Sequence, residues 1–139
     1  MYSAAPSPSG PAGEEERRLI ADPRFQEAVR LFNAAEWYAC HDGFEELWHE
    51  TQGPMRPVLQ GLLQIAVAEL HGERGNQRGA TVLMGEGLGR LRGCGPEALG
   101  LALEPLRLCA QERLRALQAG QSLQDRPLPW LEPTRPQGR

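Results

Sequence analysis

His41 and Glu45 stand one helical turn apart in the run Trp37-Tyr38-Ala39-Cys40-His41-Asp42-Gly43-Phe44-Glu45-Glu46-Leu47-Trp48-His49. At about 100° per residue they fall on one face with Trp37, Phe44 and Trp48, whereas Asp42, Glu46 and His49 fall elsewhere. A histidine and a carboxylate on an aromatic face are costly to bury unless they pair with each other, with a metal ion or with groups on a facing helix. Paired, Glu45 would fix the tautomer of His41 and leave the imidazole as ligand, general base or hydrogen-bond donor near neutral pH.

Gln60, Gln64 and His71 supply facing groups, because they lie within about 40° of one another on the next helical wheel. If the two helices pack antiparallel, the stripes meet in a polar pocket of His41, Glu45, Gln60, Gln64 and His71, with Trp37, Trp48 and Asn76 beside it. Such a pocket admits several roles. It is a network that fixes helix register, a binding pocket, a hydrolase site with His41 as base, or a divalent-metal site ligated by His41, Glu45 and His71. His41-x-x-x-Glu45 is not the His-Glu-x-x-His zinc pattern. A di-iron bundle normally carries two Glu-x-x-His pairs, and this chain has one, Glu46 and His49, pointing away from the aromatic stripe.

Other chemistries are narrowed by residue types. All 15 basic residues are arginine, which removes Schiff-base lysines and Walker-type phosphate loops. Residues 22–119 contain no serine, and Cys40 sits about 100° from His41 on the helix, against a Cys-His dyad. The three cysteines, Cys40, Cys94 and Cys109, are odd in number and far apart, which fits buried thiols rather than disulfides or a metal pair. Arg74, Asn76 and Arg78 could cradle an anion at a helix start, but a solvated turn with an Asn cap is the simpler reading.

At 139 residues, 40% hydrophobic and 24% charged, the chain suits one domain with one core. A net charge of −3 argues against a nucleic-acid binder. No run approaches the roughly 20 apolar residues of a membrane span, and Met1 to Arg18 lacks the apolar core of a signal peptide, so the expected compartment is the cytoplasm.

The elements that must position the polar residues are helical. Residues 1–21, rich in Pro, Ser, Gly, Ala and Glu, read as a disordered leader. Asp22 as N-cap and Pro23 open a helix to about Asn33, with Phe25, Ala28, Val29 and Phe32 at helical spacing. A second spans roughly Trp37 to Glu50 and stops before Gly53-Pro54; a third, about Met55 to Gly72, is apolar on most sides and therefore central. Asn76 caps a fourth to about Arg92, with Ala80, Leu83, Met84, Gly87, Leu88 and Leu91 inward. A fifth, with Pro105 near its start, runs to about Ala119 with Leu106, Cys109, Leu114 and Leu117 inward. Gly79 and Gly87 would permit close helix approach, and Gly85 and Gly89 have no evident role. Residues 120–139 form a Pro-rich tail that could dock through Trp130. Nothing alternates with period two, so sheet is not expected.

Phe32-Asn33, Trp37-Tyr38, His41-Asp42-x-x-Glu45-x-x-Trp48, Leu59-Gln60-Gly61-Leu62-Leu63-Gln64, His71 and Gly75-Asn76-x-x-Gly79-Ala80 together resemble the domain of unknown function 309 family of bacteria, archaea and plastids. The resemblance spans about Phe25 to Leu91 and implies a compact helical bundle, with His41, Glu45, Trp48, Gln60, Gln64, His71, Asn76 and Gly79 at matching positions. It implies no reaction, substrate or cofactor. Gly43 departs from the pattern, where a bulkier apolar side chain is usual, and would loosen the helix or leave space beside His41.

The expectation is an all-α, compact antiparallel bundle of about five helices over residues 22–119. Its His/Glu/Gln network serves binding or structure, with a hydrolase and a protein-protein interaction module as alternatives. The interaction reading requires an exposed apolar groove, filled by the Trp130 tail or by a second copy in a homodimer.

Overall fold

Two side-chain caps open their helices as the sequence leads one to expect. The Asp22 carboxylate accepts the Arg24 amide at 2.8 Å, and the Asn76 side-chain oxygen accepts the Gly79 amide at 2.9 Å. The computed structural model describes residues 11–134. They form α1 (Pro11–Ala21), α2 (Pro23–Asn33), α3 (Trp37–Glu50), α4 (Arg56–Glu73), α5 (Gln77–Arg92), β1 (Glu97–Ala98), β2 (Leu101–Ala102), α6 (Leu103–Gln118) and β3 (Glu132–Pro133).

Successive helices from α2 to α6 run antiparallel. Arg56, at the start of α4, donates to the Trp48 and Thr51 carbonyls at the end of α3, and Arg74, beyond the end of α4, lies over the ring of Tyr38 near the start of α3. Arg92 near the end of α5 reaches Gln111 of α6, while Gly85 lies opposite Leu114. α4 is the central element, as its apolar circumference requires: Val58, Leu59, Leu62, Leu63, Ile65, Ala66 and Ala68 are all buried. The core around it takes Phe32, Phe44, Leu47, Met84, Leu88, Leu91 and Leu106 from its neighbours.

Glycines set how closely helices approach. A Cβ on Gly61 would stand 2.8 Å from Leu91 side-chain atoms, and one on Gly87 would stand 3.0 Å from the Gly61 carbonyl, so the α4–α5 crossing needs both. Gly43 leaves no space beside His41; a Cβ there would come 3.2 Å from the Ala28 methyl, because α2 packs directly on α3 at this point. Gly79 does not serve helix approach either, since a Cβ would meet the Asn76 amide at 2.7 Å. It keeps room for the cap.

Four features depart from the sequence reading. Among the described residues six helices form rather than about five, because residues 11–21 are helical where composition pointed to a disordered leader; the leader's residues 1–10 lie outside the described ones. α1 is held by Leu19, which is buried, and by two carboxylates: Glu15 accepts the Gly53 and Met55 amides at 2.9 and 2.8 Å, and Glu16 accepts the Leu99 amide at 2.7 Å. Counting apolar residues misses such polar anchors.

A three-stranded antiparallel sheet, order β1-β2-β3, also forms, with strands too short to leave a period-two signal. Its first turn is the two-residue link Leu99-Gly100, both at positive φ (57° and 72°). Glycine takes that conformation freely, whereas leucine is strained in it, and here its buried side chain and the Glu16 bond hold it.

The tail does dock, but through its neighbour rather than through Trp130. Leu131 is buried, and the Asn33 side-chain amide grips its backbone both ways, Nδ2 donating to the Leu131 carbonyl at 2.9 Å and Oδ1 accepting its amide at 2.7 Å. Trp130 stays 41% exposed. Finally, Cys109 is half-buried beneath the tail instead of lying in the core, and Arg113 takes an interior place on α6. Its guanidinium meets the Glu69 carboxylate in two bonds of 2.6 Å each, with both side chains only 4% exposed, and its remaining arm donates to the Pro127 carbonyl at 2.8 Å. Among the described residues no helix is long and apolar enough to cross a membrane.

The open space around Gly85 and Gly89 gives a test of this packing. Neither Cβ would meet an atom nearer than 4.0 Å, so Gly85→Ala and Gly89→Ala should each raise the free energy of unfolding by about 0.5–1 kcal/mol. Gly87→Ala, which must displace α4, should lower it; urea unfolding of the three variants checks both signs.

Candidate functional site

α3 carries its polar residues at the border of its buried face. Trp37, Cys40, Phe44 and Leu47 point inward, and His41, Glu45 and Trp48 run along the edge of that stripe. Glu45 thereby avoids the burial cost that the wheel implied: its side chain is 46% exposed, against 21% for His41.

His41 is oriented by its own helix. Nδ1 lies 2.8 Å from the Tyr38 carbonyl. A carbonyl can only accept, so Nδ1 carries the proton, and Nε2 is left facing Glu45 Oε1 at 3.7 Å. That distance is beyond a direct hydrogen bond. With the imidazole neutral, a lone pair faces a carboxylate oxygen, an arrangement satisfied by a bound cation or by a water donating to both. Asp42 Oδ1 comes to 3.6 Å from Nδ1. One ligand atom from each of His41, Asp42 and Glu45 can be chosen so that all lie within 4.8 Å of one another.

The other polar residues are engaged elsewhere. Gln64 turns to α5, where Nε2 donates to Glu86 Oε1 at 3.0 Å and Oε1 accepts from Arg90 Nε at 2.9 Å. His71 Nδ1 lies 3.1 Å from Asn76 Nδ2, tying the end of α4 to the cap of α5. Gln60 is half-buried on α4. The cluster around His41 therefore contains Asp42, which the wheel set apart, in place of His71. A side chain adjacent in sequence reaches sideways farther than a wheel of Cβ directions suggests.

Trp37 packs edge-on against Phe32 with ring centroids 5.1 Å apart and is core. Trp48 lies beneath the Arg56 guanidinium, 4.3 Å from the ring centroid, and its Nε1 is buried without a hydrogen-bond partner among the described residues. Cys40 is inert: it is fully buried, and desolvation of the thiolate pushes its pKa up to about 12. Burial also raises Cys94 and Cys109.

Among the described residues, three surface clefts lie away from His41, Glu45 and His71, which line none of these three. One of about 640 Å³ lies between α6 and the tail, one of about 760 Å³ with mixed polar and apolar lining lies between α4 and the tail, and one of about 230 Å³ lies between α1 and α3.

The fold and the α3 cluster define a class: a small antiparallel helical bundle with a histidine-carboxylate edge on its third helix. Residues 25–83 match the family described as Domain of unknown function (DUF309), the one that the ordered motifs resemble. No curated protein matches the chain. The matched stretch runs from α2 into α5 and holds the whole His41 cluster; α1, the small sheet, α6 and the tail lie outside it.

Thiol labelling in the native protein at pH 8 tests the assignment of Cys40 to the core. Cys40 should stay unmodified until the chain is unfolded, while Cys94 and Cys109 react first; rapid native labelling at Cys40 would contradict its burial.

Proposed function

We propose that the protein binds a divalent cation at the edge of α3, with His41 Nε2, Glu45 and Asp42 as ligands. The observation that carries this reading is the Tyr38 carbonyl holding His41 Nδ1–H at 2.8 Å, which directs the Nε2 lone pair at the Glu45 carboxylate. Protein-bound metals are typically ligated by histidines whose second nitrogen donates in this way. One nitrogen and two carboxylate oxygens suit Zn²⁺, Mn²⁺ or Fe²⁺, and three ligands on an exposed edge leave coordination positions open to water or an anionic ligand.

A general-base hydrolase would use the same Nε2. The binding reading is favoured over it because Glu45 and Asp42 are 46% and 67% exposed, which suits an open ion site better than an enclosed substrate. For Gln64, His71 and Asn76 a structural role is the better reading, since each is hydrogen-bonded across the α4–α5 pair.

Calorimetric titration of untagged, metal-stripped protein with ZnCl₂ and MnCl₂ tests the proposal. One equivalent should bind, and His41→Ala and Glu45→Gln should each weaken it about 10-fold or more, with thermal unfolding confirming that both variants fold. His49→Ala, on the same helix but outside the cluster, should bind as the parent does. Equal binding by His41→Ala, or no binding by the parent, would overturn it.

A further inference from the structure

The cleft of about 640 Å³ between α6 and the tail has the size of a small-molecule site. Pro105, Leu108 and the half-buried Cys109 form its helical wall, and Pro127 and Trp130 its tail wall. Leu108 is 61% exposed and Trp130 41%, so both walls offer large apolar surface to open space. The Trp130 indole is fixed by its Nε1–H, which donates at 3.2 Å to Glu132, a residue outside the lining.

Four charged residues share this lining, and three of them are already neutralised. Glu104 pairs with Arg107 at 3.0 Å, Glu112 pairs with Arg115 at 3.0 Å, and Arg113 meets Glu69 in two bonds. Arg126 differs from them. Its Nε donates to the Ser122 carbonyl at 2.9 Å and its Nη2 to Gln121 Oε1 at 3.1 Å, both neutral acceptors, and among the described residues it has no carboxylate partner. Asp125 and Glu73 line only the adjoining cleft, and among the described residues neither forms an ion pair with it. One uncompensated positive charge is therefore left beside the apolar walls.

The two neutral bonds also prepare that charge for a ligand. They engage the Nε–Nη2 edge of the guanidinium and leave Nη1 without a protein acceptor among the described residues, so the outer edge is open on a side chain that is already ordered. A forked donor of this kind matches a carboxylate through two parallel hydrogen bonds, and prior ordering lowers the entropy cost of making them.

We infer that this cleft binds a small amphiphilic carboxylate, its head group on Arg126 and its hydrocarbon on Leu108 and the Trp130 indole. The same hydrocarbon with a neutral head keeps only the apolar contact, and one with a cationic head is repelled by Arg126. The site is separate from α3 and does not depend on a metal there.

Titration of the full chain with octanoate, octanol and octylammonium in the presence of EDTA, followed on the indole N–H resonances, tests this. The Trp130 signal is assigned by its loss in Trp130→Phe. Octanoate should move it and bind about 10-fold or more tightly than octanol or octylammonium, as a charge-assisted hydrogen bond requires. Arg126→Gln should bring octanoate down to the octanol level and leave octanol binding as it was, with thermal unfolding confirming that the variant folds. Leu108→Asn should weaken octanoate and octanol alike, and His41→Ala should change neither. Octanol or octylammonium binding as tightly as octanoate would overturn the inference, as would an octanoate preference that survives Arg126→Gln or a Trp130 signal unmoved by all three probes. A concentration-dependent dimer that shifts the same signal without ligand would also overturn it.

Discussion

Glu69 and Arg113 meet in the interior by two hydrogen bonds, and much of the architecture is arranged around keeping that pair complete. Removing two charges from water is expensive, and their attraction offsets the penalty only where the geometry is good and the remaining donors find partners. Here Arg113 supplies its third arm to the Pro127 carbonyl, so the tail completes a pair that α4 and α6 begin. Such a pair adds little net stability, yet losing one member leaves an orphaned buried charge at a cost of about 3–5 kcal/mol. Its consequence is therefore register: α6 cannot slide along α4, nor the tail along α6, without opening it.

The tail is held at its far end by a second polar device of the same logic. Asn33, the last residue of α2, binds the backbone amide and carbonyl of Leu131, as a neighbouring strand would, and Leu131 enters the core beside it. Between the Pro127 and Leu131 anchors the chain stands off α6, and the apolar cleft under Trp130 is the space that remains. The α2–α3 contact through Ala28 and Gly43 and the α3–α4 contact through Arg56 orient α3 so that His41, Asp42 and Glu45 come to its solvent edge. The polar chemistry at that edge and the apolar cleft are thus separate outcomes of one set of packing constraints.

What was legible in the sequence was what is local. Helix periods, the Asp22 and Asn76 caps, the central burial of α4 and the Gly87 approach all follow from residues a turn or two apart. That His41 and Glu45 lie side by side at i, i+4 was readable for the same reason. What escaped was long-range and polar: Glu15 and Glu16 fastening α1 to distant loops, Glu69 meeting Arg113, and Asn33 holding Leu131. A charged residue inside an amphipathic pattern reads as solvated unless its partner is known, and that partner lies tens of residues away. Gln64 and His71 could have turned to α3 or α5 on the wheel alone; the close Gly61–Gly87 crossing brings α5 within their reach.

Cation binding at α3 depends on which nitrogen of His41 holds the proton. Long-range ¹⁵N–¹H NMR of the imidazole, recorded on metal-stripped protein above the histidine titration range and again with one equivalent of Zn²⁺, reads this directly. The geometry predicts the Nδ1–H tautomer in the free protein, with Zn²⁺ shifting Nε2 and leaving the Nδ1 proton in place. An Nε2–H tautomer, or a His41 ring unaffected by Zn²⁺, would contradict it.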